Sequence, residues 1–129
     1  EGMHIQWKLC EQPVMVYADK THINRLFTNL ILNAIQSVPG HAEAEIEVEE
    51  VLKDDHVLIK IKDNGEGISE AVQSKIFAPN FTTKTSGTGL GLAMSKRIVE
   101  QANGSIWFET LEGAGTSFFV SLPVVKQPG

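Results

Sequence analysis

Cysteine is almost absent from this chain: Cys10 is the single one among 129 residues. An internal disulfide is thereby excluded, as is a metal site built from paired thiolates, and the usage fits a reducing compartment. Cys10 closes a strand-like pattern and reads as a small core residue. Basic charge is also scarce, with 11 Lys and Arg against 16 Asp and Glu and a formal net charge of −5. No broad electrostatic footprint for nucleic acid or for an anionic membrane is therefore present. A bound polyanion would have to be met by backbone amides, a metal, or one or two placed cations. No apolar run approaches the roughly 20 residues of a membrane span, and no signal-peptide pattern is visible. These absences point to a cytoplasmic domain without direct membrane contact, in a parent protein that remains open to anchoring in the inner membrane. G-x-x-x-x-G-K-S/T occurs nowhere, so a P-loop is ruled out.

What remains is ordinary for a globular domain: 42% hydrophobic and 21% charged residues, enough chain for one core. His4 to Leu9 alternates as a strand, and Val14 to Tyr17 suggests a second after Pro13. Asp19 or Thr21 can cap the helix that follows, in which Ile23, Leu26, Phe27, Leu30, Ile31, Ala34, Ile35 and Val38 share one face before Pro39-Gly40 stops it. Strands are expected over Glu45 to Val51 and Val57 to Ile61. A helical turn follows over Ser69 to Ile76, then an irregular stretch from Phe77 to Thr88. A second good helix runs from about Leu90 to Ala102, and strands over Ser105 to Glu109 and Ser117 to Leu122 flank a turn at Glu112-Gly113-Ala114-Gly115. No repeat, low-complexity tract or linker divides the chain. The opening in a strand pattern and the Pro-Gly end read as an excised single domain over residues 1–129. The expected architecture is an α+β two-layer sandwich, a mixed sheet covered on one face by about three helices.

Four segments carry chemistry. Asn29 and Asn33 stand one turn apart on the edge of the first helix, where a side-chain carbonyl can ligate Mg²⁺. Asp63-Asn64-Gly65-Glu66-Gly67-Ile68 follows a strand. By composition it reads first as a turn; the functional alternative is a buried acceptor for an amino group, with Gly65 and Gly67 letting a flat base approach. Gly87-Thr88-Gly89-Leu90-Gly91 opens a helix and offers backbone N–H groups to a phosphate. Upstream, Thr82, Thr83 and Lys84 are candidate phosphate contacts. Gly113-Ala114-Gly115-Thr116 is a hairpin turn by composition.

In this order the segments resemble the ATP-binding catalytic domain of sensor histidine kinases, within the gyrase, Hsp90, histidine kinase and MutL superfamily. Asn29 to Ala34 is similar to the family's asparagine box, Asp63 to Ile68 to its first glycine box, and Phe77 to Lys84 to its phenylalanine box. Gly87 to Leu92 resembles its second glycine box, and Gly113 to Phe118 its last glycine motif; the likeness covers essentially the whole chain. It implies a Bergerat-type sandwich holding Mg·ATP. By position, Asp63 would accept from the adenine amino group, assisted by Thr116 through water. Gly65, Gly67 and Ile68 would frame the base, Asn33 would hold Mg²⁺, and Asn29 would contact the phosphate and metal region. Thr83, Lys84, Gly87, Thr88, Gly89, Leu90 and Gly91 would meet the phosphates from a mobile lid over Phe77 to Thr88.

Two departures stand out: Asn80 where many relatives carry Phe, and Gln36 where many carry a cation, a role that Lys84 or Lys96 would then have to fill. Hydrolysing members of the superfamily carry Glu where Asn29 stands, and an amide is no general base. The resemblance thus implies phosphoryl transfer rather than hydrolysis, with Asn29 and Asn33 as the catalytic pair. The family's acceptor is a histidine on a helical dimerisation domain, in cis or in trans, which passes the phosphoryl group to a response regulator. None of His4, His22, His41 and His56 has the sequence context of that acceptor.

Overall fold

A computed structural model describes residues 3–9, 16, 19–40, 42–78 and 91–124. Among these residues, five strands and three helices follow one another as β1 (Met3–Lys8), α1 (Lys20–Gln36), β2 (Ala44–Lys53), β3 (His56–Lys62), α2 (Glu70–Gln73), α3 (Gly91–Gln101), β4 (Ser105–Leu111) and β5 (Gly115–Pro123). The strands form one mixed sheet in the order β1-β2-β3-β5-β4, parallel only between β1 and β2. Of the expected strand at Val14 to Tyr17, only Val16 lies within the described residues, where it makes an isolated antiparallel bridge to Val124.

Asp19, rather than Thr21, caps α1: its Oδ1 accepts from the Thr21 and His22 amides at 2.8 and 3.3 Å. Leu26, Leu30 and Ala34 then fall on one stripe and are buried against the sheet, as the apolar spacing requires. The helix closes at Ser37, whose amide reaches the Asn33 carbonyl at 3.0 Å and whose hydroxyl donates to the Ala34 carbonyl at 2.8 Å. Alternation does the same work in the strands. Ile46 and Val48, Val57, Ile59 and Ile61, and Phe118, Val120 and Leu122 are buried on the face beneath α1 and α3. Ile106 and Phe108 of the edge strand β4 pack at the margin of the same core. The expected two-layer sandwich is thus the observed fold, although α2 is a single turn of four residues.

The other face of the sheet carries paired charges and rings. Register sets Glu47 opposite Lys62 and Glu49 opposite Lys60, and the Trp107 and Phe119 rings stack with centroids 5.5 Å apart. Lys8 on the edge strand reaches Glu47 at 3.1 Å. This hydrogen bond is the largest influence on the Glu47 carboxyl; burial, next in size, raises it, and with the charges of Lys8, Lys60 and Lys62 added the carboxyl is held below its ordinary range.

Just beyond β3, Asn64 ties the sheet end together. Its Oδ1 accepts from the Glu45 amide at 2.8 Å while its Nδ2 donates to the Glu43 carbonyl at 2.9 Å. Asn64→Asp keeps the shape and removes the donor, so urea unfolding should show a midpoint loss worth about 1 kcal/mol with an unchanged slope. Leu30→Ala opens a cavity in the core and should cost about 2–5 kcal/mol in the same measurement. Because the Glu47 carboxyl is depressed in the folded state, its contribution to stability is present above the unfolded carboxylate pKa and is lost as pH falls through the folded value. Lys8→Met should therefore move the Glu47 titration upward by NMR while changing neutral-pH stability little, as expected of an exposed pair.

Candidate nucleotide site

Strand period and register place three polar side chains in one row on the helix-covered face. Asp63 continues the inward alternation of Val57, Ile59 and Ile61, one residue past the end of β3. Its amide donates to the Thr116 carbonyl at 2.9 Å, extending the ladder between β3 and β5. Thr116 in turn pairs with Thr110 across β5 and β4. Asp63 and Thr116 are buried, at 4% and 5% exposure. Buried polar groups need partners, and here they find one another. Asp63 Oδ1 accepts from the Gly65 amide at 2.8 Å and from the Thr116 amide at 3.1 Å. Thr116 Oγ1 lies 2.9 Å from Thr110 Oγ1.

The loop after Asp63 is locked on both sides. The Glu66 amide donates to the Ser37 carbonyl at the end of α1 (3.4 Å), and the Glu66 carbonyl accepts from the Gly113 amide of the β4–β5 turn (2.7 Å). Ile68 donates its amide to Thr110 Oγ1 at 2.8 Å and accepts from Gln73 Nε2 at 3.0 Å. This packing supplies a structural reason for the glycines. A Cβ on Gly65 would collide with the Ser37 hydroxyl and carbonyl, and Gly67, with φ +80°, sits against the Leu111 carbonyl. Both are required by backbone pressed on backbone.

Above the row opens a cavity of about 490 Å³, in the range of small-molecule sites. Asp63, Thr116 and Phe118 line it from the sheet, Asn33, Gln36 and Ser37 from the C-terminal end of α1, and Leu92 from the first turn of α3. Ile68, Val72 and Ile76 add apolar surface, and the exposed Glu66 and Glu112 stand at its rim. Of the expected site residues, the structure thus gathers Asn33, Asp63, Gly67, Ile68 and Thr116 around one space. Gly65 is buried and Asn29 half-buried, and neither is among the lining residues. Gly91 begins α3. Thr83, Lys84, Gly87, Thr88, Gly89 and Leu90 lie outside the described residues, as do Asn80 and most of the expected lid. Lys96 does not line the cavity; its Nζ sits 5.7 Å from the centre of the Phe77 ring, which packs edge-on to Phe118.

The electrostatics follow from helix direction. The cavity meets the C-terminal end of α1, whose last turn holds no basic residue, and the N-terminal end of α3, whose first turn holds no acidic one. The former carries partial negative and the latter partial positive charge. Among the described lining residues, none is Lys or Arg. A phosphate chain in this space would be met by α3, and its remaining charge calls for a cation. The donor set fits such an ion: the Asn33 amide, a hard oxygen ligand, lines the cavity. That suits a hard divalent cation that keeps waters and shares phosphate oxygens. Sequence reasoning missed Thr110, Ser37 and the apolar lining of α2. Thr110 carried one legible signal, a polar residue at an inward position in phase with Ile106 and Phe108.

Comparison with known proteins agrees with this geometry. The sequence profile of the histidine kinase-, DNA gyrase B-, and HSP90-like ATPase family matches residues 18–126. The chain is 36% identical to sporulation kinase E of Bacillus subtilis over 123 residues, covering 95% of this chain and 16% of that protein. Against the signal transduction histidine-protein kinase AtoS of Escherichia coli it is 39% identical over 112 residues, 87% of this chain and 18% of that one. It therefore spans roughly a sixth of the length of these relatives. Among solved structures, the catalytic domain of the histidine kinase ThkA superposes with a TM-score of 0.82 at 32% identity, over 95% of this chain and 79% of that chain. The chain belongs to the histidine kinase-, DNA gyrase B- and HSP90-like ATPase family, in the branch of the sensor histidine kinases.

Proposed function

We propose that residues 1–129 are the catalytic domain of a two-component sensor kinase, which binds Mg·ATP and donates the γ-phosphoryl group to a histidine on a separate helical dimerisation domain. The observation that carries this reading is Asp63: a buried carboxylate on the floor of an otherwise largely apolar cavity, with one oxygen fixed by two backbone amides. Such a group is an oriented acceptor for an amino-bearing base, because its aim is set before the ligand arrives. In this reading Asp63 takes the adenine amino group with Thr116 beside it, while Gly65, Gly67 and Ile68 shape the loop under the base. Asn33, with Asn29 one turn away, would hold Mg²⁺, which when bound neutralises phosphate charge. Gly91 and the segment from Thr83 to Leu90 would meet the phosphate chain.

Transfer then asks this chain for positioning and charge compensation, and the acceptor imidazole for the nucleophile. The imidazole nitrogen lone pair forms the bond to the γ-phosphorus as its bond to the bridging oxygen breaks and ADP leaves. Asn29 has no basic lone pair with which to activate water, which favours transfer over hydrolysis. The helical domain lies in the rest of the parent protein or in its partner subunit, and a response regulator is the downstream acceptor. No helix among the described residues is long and apolar enough to cross a membrane. A cytoplasmic domain, with any anchor elsewhere in the parent chain, completes the proposal.

Calorimetry with a non-hydrolysable ATP analogue should give saturable binding that strengthens with Mg²⁺. Asp63→Asn keeps Oδ1 for the two amides and places a donor where the base needs an acceptor, so affinity should fall by about tenfold or more. Asn33→Ala should abolish the Mg²⁺ enhancement and leave metal-free binding nearly unchanged. The absence of wild-type binding at millimolar nucleotide would sink the reading. Mixed with the helical domain of its parent protein, the chain should move γ-label onto an acid-labile, alkali-stable protein bond, and an acid-stable label would exclude histidine as acceptor.

A further inference from the structure

Three hydrogen bonds converge on the hydroxyl of Thr110, and their protons can be counted. The Ile68 amide, 2.8 Å away, can only donate, so Thr110 Oγ1 accepts there. The Gly115 carbonyl, 3.2 Å away, can only accept, so the single Thr110 proton goes to it. The contact with Thr116 Oγ1, at 2.9 Å, is then a hydrogen bond only if Thr116 supplies the proton. This is the one assignment that satisfies all three contacts together. It leaves Thr116 with lone pairs and no proton to offer. Its own amide meanwhile donates to Asp63 Oδ1. The two polar side chains that line the sheet end of the cavity, Asp63 and Thr116, therefore both face a ligand as acceptors.

We propose that Thr110 is a specificity-determining positioning residue: by taking the Thr116 proton it keeps Thr116 an acceptor, so the Asp63–Thr116 floor admits bases with an exocyclic amino group and rejects those with a carbonyl at that edge. The inference rests on the nucleotide reading of the cavity and adds the origin of its base selectivity. An amino group carries two N–H bonds and can satisfy Asp63 and Thr116 together, directly or through a water. A carbonyl in its place sets oxygen against oxygen, and sites built on buried hydrogen-bonding groups discriminate strongly against ligands that leave those groups unpaired. Thr110 does not line the cavity itself and acts only through Thr116. A freely turning Thr116 hydroxyl could donate as readily as accept, and the selectivity would weaken.

The test compares ATP with inosine triphosphate, which carries a carbonyl in place of the amino group, by calorimetry on the whole chain. Wild type should prefer ATP. Thr110→Val removes the proton acceptor and should reduce the ratio of the two affinities by about tenfold, the scale of one hydrogen bond, with ITP binding held or improved. Thr110→Ser restores the hydroxyl and should restore the ratio. Thr116→Val provides a second route should Thr110→Val fold poorly by circular dichroism; it should lower the ratio similarly, and the double variant should lose no more than either single one. ATP and ITP weakening in parallel in Thr110→Val, or a Thr116→Val protein with the wild-type ratio, would make Thr110 a structural residue only and overturn the inference. Those outcomes leave ATP binding to the wild type intact, whereas a wild type that binds neither nucleotide overturns the nucleotide reading and this inference with it.

Discussion

One oxygen atom joins the fold to the site. Asp63 Oδ1 receives the amide of Gly65, two residues on, and that of Thr116, 53 residues on. The first bond shapes the loop after β3 and the second ties that loop to the start of β5. Both lie in buried surroundings, where an unpartnered carboxylate or amide would cost more than a bond gains. The rest of the interlock depends on this clamp. With the loop held, Glu66 can reach both the end of α1 and the β4–β5 turn, and Ile68 can reach Thr110. The same geometry that closes the sheet end leaves the carboxylate at the foot of a cavity.

The cavity lies where the described ends of α1 and α3 meet the sheet. Ser37 ends α1 and Pro39 prevents its extension, α2 amounts to one turn, and the described part of α3 runs from Gly91. Between these ends the side chains on the inward face of β3 and β5 change from apolar to polar: Ile61 gives way to Asp63, and Phe118 to Thr116. Apolar walls and a polar end follow from where two helices terminate over a sheet whose alternation runs on. Helix polarity then divides the space, with the negative end of α1 beside Asn33 and the positive end of α3 opposite.

Elements that declare themselves locally were legible in the sequence. The period of α1, a cap at Asp19 or Thr21 and its Pro39 stop can be read within one segment, as can the alternation of β3. Strand ends were less so: β4 and β5 each run two residues further into their turn than composition suggested, because Thr110 and Leu111 pair with Thr116 and Gly115. Which strand pairs with which is a long-range fact, and nothing within Met3–Lys8 announces a parallel partner in β2. Asn33, Asp63 and Thr116 were picked out by motif, and the structure brings them together. The packing role of the glycines was hidden, since their nearest neighbours are Ser37 and Leu111, remote in sequence. The role of Thr110, beyond its inward phase, was hidden for the same reason: its meaning lies in three partners from two other segments.

The two ends of the cavity therefore differ in how they are built. At the sheet end, the loop from Asp63 to Ile68 has its amides and carbonyls engaged with α1, α2 and the β4–β5 turn, so recognition there is fixed before a ligand enters. At the helix end, the described surface carries the amide side chains of Asn33 and Gln36, helix polarity and no basic residue. An anion there would gain from a positive charge beyond those the described lining supplies. A phosphate chain accompanied by a divalent cation brings that charge, and a neutral or cationic ligand would leave the positive end of α3 unused. On the proposed reading this division suits transfer chemistry. A rigid base pocket would set the register of the nucleotide and leave the phosphate end to the proposed acceptor on the helical domain.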